Sequence, residues 1–155
     1  MIAADLVDAR EINQLIKNNE LILALQKIEQ WLDLRPNAAA PLFLKARVQT
    51  INGKKDQAVM TYKRVIEIDP DLPEAYNNLG LIYAAGGNLE KATKYFQLGL
   101  QTNPTYATLY QNLSTAYAAR AVEAYRKALL GTEAHKHTID SQTLDLLPIE
   151  TLDKR

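Results

Sequence analysis

Several residues have the types that chemistry uses, and none has a working partner. His135 and His137 form a His-X-His pair, a spacing that can place two imidazoles on one metal ion. The chain has no cysteine, and no clear third ligand accompanies the pair. It reads as two exposed histidines beyond a helix end. Gly86-Gly87 is followed by no Lys-Ser/Thr pair and lies between two helical stretches, so it is a turn and not a phosphate loop. Serine occurs only at 114 and 141, outside any Gly-X-Ser-X-Gly elbow. The acidic pairs Asp5/Asp8 and Glu67/Asp69 sit on amphipathic stretches and read as solvated faces. The expectation is a non-enzymatic protein with no cofactor and no metal.

Composition narrows the partners. The 155 residues suffice for one domain with a proper core, and 47% of them are hydrophobic. Eighteen basic residues balance eighteen acidic ones. Residues 35–104 hold nine basic and six acidic side chains, a net of +3. Lys54-Lys55 and Lys63-Arg64 are isolated. Phosphate binding needs a basic surface, so nucleic acid is not the expected partner. No apolar run approaches the ~20 residues that span a bilayer, so no membrane insertion is expected. The N-terminus, MIAADLVDAREINQ, lacks a basic n-region followed by an apolar h-region. A cytoplasmic location is the expectation.

What positions the remaining polar residues is a repeat. Prolines recur at 36, 70 and 104, and alanines at 24, 58 and 92, each 34 apart. The turn positions 19, 53 and 87 hold Asn, Gly and Gly in the same register. The clearest unit runs from Pro73 to Pro104. Leu79, Ile82 and Tyr83 form one helical stripe, Gly86-Gly87 breaks it, and Leu89, Ala92, Tyr95, Phe96 and Gly99 form a second. Tyr76, Leu79-Gly80, Tyr83, Ala92, Phe96 and Pro104 resemble the tetratricopeptide repeat, whose period is 34 residues. The fold that this resemblance implies is all-α. It is a solenoid of three helix-turn-helix repeats, about 5–38, 39–72 and 73–106, followed by a long helix and a short tail.

The first repeat predicts helices over Ala3 to Lys17 and Glu20 to Leu34, with Asn18 or Asn19 left-handed at the turn. Trp31 is read as a core residue, with a surface role as the alternative. The second repeat predicts helices over Pro41 to Ile51 and from Asp56 onward, with Asp56 as cap or first-turn acid. Lys45-Ala46 replaces the usual Leu-Gly pair. A buried lysine is costly unless its ammonium reaches water, so local adjustment around Leu44 is expected.

In the fourth unit Tyr110, Leu113, Ser114 and Tyr117 match a first helix, and AVEAYRKAL at 121–129 matches a second. About five residues are missing between them relative to the third repeat, including the turn. Strong helix formers fill the junction, so one continuous helix is predicted over 106–130, near 38 Å long at ~1.5 Å per residue. Gly131 ends it. The fused segment is similar to one in proteobacterial proteins of the same family. The domain is expected to cover 1–131 and the tail 132–155. The tail holds Ile139, Leu144, Leu146, Leu147, Ile149 and Leu152, and Pro148 interrupts any helix there. Three arrangements are open to it: folding back on the long helix, docking on another chain, or disorder.

In this family the first helix of each repeat lines a concave face that binds a peptide or a partner helix. The resemblance therefore implies a groove of Arg10, Asn13, Phe43, Arg47, Asn77, Asn78, Leu81, Gln111, Asn112 and Thr115, with a protein or peptide as partner. Asn78 and Asn112 stand 34 apart. They resemble the asparagine ladder in the repeat domain of O-linked N-acetylglucosamine transferase, where Asn can pair with a peptide backbone. A solvated or capping role is the alternative. The carboxylate clamp of heat-shock co-chaperones is not matched: its places fall on Ala9, Leu44 and Glu74 in one frame, and on Phe43 and Thr108 in the other. A second functional expectation is a self-associating module, a homodimer formed through Val122, Tyr125 and Leu129 of the long helix.

Overall fold

The computed structural model describes residues 9–131. His135, His137 and the apolar tail lie outside the described residues, as does the start of the first expected helix. Seven α-helices follow one another: α1 (Ala9–Lys17), α2 (Leu21–Leu34), α3 (Ala39–Ile51), α4 (Lys55–Ile68), α5 (Pro73–Ala85), α6 (Leu89–Thr102) and α7 (Ala107–Gly131). No strand occurs among the described residues. The chain divides into two compact units after Ala121, a boundary that lies inside α7 and not at its end.

Three hairpins, α1/α2, α3/α4 and α5/α6, turn in the same way. Asn19, Gly53 and Gly87 have φ of 61°, 73° and 77°, the left-handed region in which glycine bears no Cβ penalty and asparagine a small one. The residue after each closes a bond to a carbonyl five residues back: Glu20 to Leu15 at 2.8 Å, Lys54 to Gln49 at 2.8 Å, Asn88 to Tyr83 at 2.9 Å. This Schellman pattern satisfies carbonyls that the ending helix leaves open. Helix starts are less uniform. Asn88 caps α6 by accepting the Lys91 N–H at 3.0 Å, whereas α4 has no side-chain cap and carries Asp56 as a first-turn acid. Helix α3 begins at Ala39, two residues before the expected Pro41. Pro41 still sits in the first turn, where its missing N–H has no intrahelical partner to lose.

Inside each hairpin the repeat alanines make room. Ala24, Ala58 and Ala92 are fully buried, with Ile28, Tyr62 and Phe96 stacked one turn further on. The first cluster joins Ile12, Leu15, Ile16, Ala24 and Ile28 to Leu44 and Val48 of the next hairpin, and Trp31 packs against it. Trp31 is thus a packing residue. The second joins Ala46, Tyr62 and Val65 to Ala75, Leu79 and Ile82. Neighbouring hairpins share cores, so each hairpin buries on its neighbours the apolar face that it cannot bury alone. Lys45 avoids burial cost by placing its ammonium 2.8 Å from Glu29 on α2, with the side chain 30% exposed, while Leu44 takes the buried place.

Helices α5 and α6 meet at Gly80. A Cβ there would lie 2.6 Å from Cδ1 of Phe96, whose ring is almost fully buried. Gly87 differs: nothing lies within 4 Å of its Cβ position, so only its φ resists a side chain. Gly80→Ala is expected to cost about 1–3 kcal/mol by overpacking, and Gly87→Ala about 1 kcal/mol by left-handed strain. Urea unfolding of both variants measures the order, which reverses if the α5–α6 contact is easily relaxed.

Candidate functional site

The face expected to bind is built by the first helices of the hairpins. Their apolar residues turn inward, and at the 34-residue period that leaves Asn13, Arg47, Leu81 and Thr115 in one row. One hydrogen bond joins two members of the row. Arg47 donates from Nη1 to Oδ1 of Asn13, its counterpart one repeat earlier. Asn13 in turn donates to the Ala9 carbonyl at 2.8 Å. Thr115 is exposed and gives its hydroxyl proton to the Gln111 carbonyl at 2.9 Å.

Two depressions lie on either side of Arg47. One, of about 370 Å³, is lined by Arg47, Thr50, Ile51, Lys55, Tyr62, Asn78, Leu81, Ile82 and Ala85. It holds two cations and no acid. The other, of about 240 Å³, is lined by Ala9, Asn13, Ala39, Ala40, Phe43, Leu44, Arg47, Asp69 and Leu72. Arg47 belongs to both, and in the second it shares the wall with an acid.

The expected groove residues separate accordingly. Asn13, Phe43 and Arg47 come together, as do Arg47, Asn78 and Leu81. Phe43 is part of the packing as well, its ring edge-on to Tyr62 with centroids 5.8 Å apart. Arg10 and Gln111 are exposed and line neither depression. Asn77, expected at the surface, is buried at 6% exposure. The following helix is the reason: the Asn77 amide points into the junction with α7, where Asn112 donates to its Oδ1 at 2.7 Å, whereas Gln111 at the same place one period later is exposed.

Asn78 and Asn112 therefore do not present a ladder of free amides. Asn78 donates to the Tyr62 hydroxyl at 3.1 Å, and Asn77 approaches its Oδ1 at 3.4 Å. The series Tyr62, Asn78, Asn77, Asn112 ties α4, α5 and α7 together by polar contacts. A buried amide without a partner costs more than its bond contributes, so this series also fixes register between repeats.

Sequence reading missed Thr50, Lys55 and Tyr62 as lining residues. Tyr62 was legible only as core, since its ring fills the place of Phe96 one repeat earlier. Its hydroxyl reaches the depression because the phenol is longer than the phenyl ring. Lys55 follows the Gly53 turn and belongs to a second helix, which the family pattern does not place in the groove. Burial pushes the Tyr62 phenol above its ordinary pKa of 10.0, and bonds from Asn78 and Thr50 and the charge of Arg47 oppose part of that shift. The folded state therefore favours the neutral phenol. The resulting stability is fully present below the ordinary value and is lost as pH rises through the folded one. Tyr62→Phe is expected to lose less stability between about pH 9 and 11 than the parent chain. Urea midpoints across that range measure it, and equal slopes would refute the assignment.

The family described as "TPR repeat" matches residues 46–87, and "Tetratricopeptide repeat" matches residues 73–106. The tetratricopeptide repeat domain-containing protein PYG7, chloroplastic, of Arabidopsis thaliana is 26% identical over 128 residues, covering 77% of this chain and 42% of that protein. The chain spans less than half the length of the curated relatives it matches. Among solved structures, the first TPR of Spaghetti (RPAP3) bound to the HSP90 peptide SRMEEVD superposes with a TM-score of 0.66 at 19% identity, over 78% of this chain and 99% of that one. YrrB, described as a TPR protein with an unusual peptide-binding site, gives a TM-score of 0.62 at 25% identity, over 72% of this chain and 57% of that one.

Proposed function

We propose that this chain, a tetratricopeptide-repeat protein, is a non-enzymatic module that holds an acidic, extended segment of a partner protein along α3 and α5. The observation that carries the reading is the depression of about 370 Å³ beside Arg47. Its two cations, Arg47 and Lys55, stand at the edge of an apolar floor of Ile51, Leu81, Ile82 and Ala85. Carboxylates recognise the first feature and an aliphatic side chain the second. Arg47 already donates to Asn13, which holds its guanidinium in place and lowers the entropy lost when a carboxylate arrives. The fold neighbours support the general reading, since one is bound to a peptide and another is described by its peptide-binding site.

In this reading Asn78, whose amide is engaged with Tyr62, shapes the wall, and Arg47, Lys55 and Leu81 make the contacts. Asn13 and Phe43 extend the site toward the second depression. Arg10, Gln111, Asn112 and Thr115 contribute little to affinity. No described helix is long and apolar enough to cross a membrane.

Fluorescence anisotropy with peptides that differ only in carboxylate content tests it. Acidic peptides should bind more tightly than neutral ones, and less so as salt rises. Arg47→Glu with Lys55→Glu should weaken that binding by about 10-fold or more, the scale of a lost desolvated charge pair. An affinity indifferent to peptide charge, or to the double variant, refutes the proposal.

A further inference from the structure

Helix α7 repeats the sequence of a first helix, and among the described residues no second helix folds onto it. In the third repeat, Tyr76, Gly80 and Tyr83 of α5 receive α6: Phe96 fills the space over Gly80, and Gly99 lets α6 approach Tyr76, whose Cβ lies 3.0 Å from the position a Gly99 Cβ would take. One period later the same places hold Tyr110, Ser114 and Tyr117. All three are exposed, the tyrosines by 54% and 44%. The other side of this half-helix is packed, with Leu109 fully buried and Ala116 nearly so against Phe96 and Ala92. The open face is therefore the one that a second helix covers elsewhere.

The residues suited to cover it lie further along α7. Aligned across the missing turn, Ala121, Tyr125 and Ala128 stand where Ala92, Phe96 and Gly99 stand in α6. Tyr125 is 54% exposed. The helix is continuous from Ala107 to Gly131, so no turn returns this segment to its own first half. At 3.6 residues per turn, Tyr110, Ser114, Tyr117, Ala121 and Tyr125 fall within a stripe roughly 80° wide. The stripe carries no charge, and residues 107–119 carry none at all, whereas Arg120, Glu123, Arg126 and Lys127 fall away from it. Depletion of charge on an exposed face is the compositional mark of an interface core.

We propose that α7 pairs antiparallel with α7 of a second copy, each chain's 121–129 segment occupying on its partner the face that α6 covers on α5. The hairpin register carries over. Gly80 opposite Phe96 becomes Ser114 opposite the partner's Tyr125, and Tyr76 opposite Gly99 becomes Tyr110 opposite the partner's Ala128. Tyr117 then meets the partner's Ala121. Every tyrosine faces a small residue, and the arrangement is reciprocal, as a two-fold dimer requires. An aromatic side chain buries about 150–250 Å² in full, so six half-exposed tyrosines bring together about 600 Å². Ala121 and Ala128 lie in the same stripe and add to that area, toward the ~1,000 Å² of a specific interface, while Val122 and Leu129 fall outside it, about 100–120° around the helix from Tyr110. This surface is separate from the Arg47 depression, and the two proposals can fail independently.

Light scattering of the full chain, whose monomer mass is 17.4 kDa, should report a dimer at about 100 μM, a concentration that populates even a modest complex. S114R and Y125E should each be monomeric, since each places a charge in the stripe. Both positions are exposed, so neither change disturbs a core, and circular dichroism of each variant should keep the parental helix signal. Mixing the two variants should restore a dimer, because one contact becomes Arg opposite Glu and the other stays Ser opposite Tyr. A monomeric parent chain overturns the proposal, as it would if the chain's own tail covered the stripe. So does a parent dimer that survives both substitutions, or a mixture that stays monomeric.

Discussion

The distance between the two helices of a hairpin governs this structure. At Gly80 there is no room for a Cβ, because the Phe96 ring already fills the space. The second repeat meets the same constraint with Ala46 opposite Tyr62, both buried. Close approach lets one large ring on the second helix reach across to the first, and the ring then also contacts the following repeat. The stacking of hairpins depends on that reach. Shared clusters that join Tyr62 to Leu79 and Phe96 to Leu109 are its consequence. Stability in such an array sums over hairpins and their junctions, so a tight hairpin stabilises two neighbours as well as itself.

With the apolar faces committed, the polar residues of α5 divide according to what packs beside them. Position 77 turns inward and finds Asn112. Position 78 sits at the edge and finds the Tyr62 hydroxyl. Leu81, one turn further on, stays 43% exposed. The surface left open on such a scaffold is what remains after the inter-repeat bonds are made. Arg47 shows the compromise. Its bond to Asn13 links two repeats, yet its guanidinium still borders both depressions, because five donors exceed what one amide can accept.

The repeat itself was fully legible, since its period is imposed by turns and small residues that sequence displays directly. Asn19 takes the same left-handed conformation as Gly53 and Gly87, as its place in the register required. The unbroken α7 was legible for the complementary reason: the turn residues are absent. What sequence did not reveal was which asparagines are free. Asn77, Asn78 and Asn112 look alike in YNNLG and YQNLS, and only the positions of Tyr62 and of α7 decide their partners. Lys55 escaped for a similar reason. It enters the site from the start of a second helix, and its reach depends on a turn geometry that a family pattern does not encode.

Deleting about five residues from a repeat changes more than its length. In an intact hairpin the second helix covers the first, and the outer face of the last unit is then made polar so that the array can end. In α7 the turn is gone but the sequence of both helices persists. Residues 107–119 keep a hairpin's inner face, tyrosines and serine without charge, and residues 121–129 keep the face that belongs against it. A chain that simply ended its array here would gain by exchanging Tyr110 and Tyr117 for charged residues, because exposed apolar stripes promote association. Their retention on an open face, with a segment of second-helix sequence further along the same helix, leaves the fused repeat with the faces of a hairpin and without its turn.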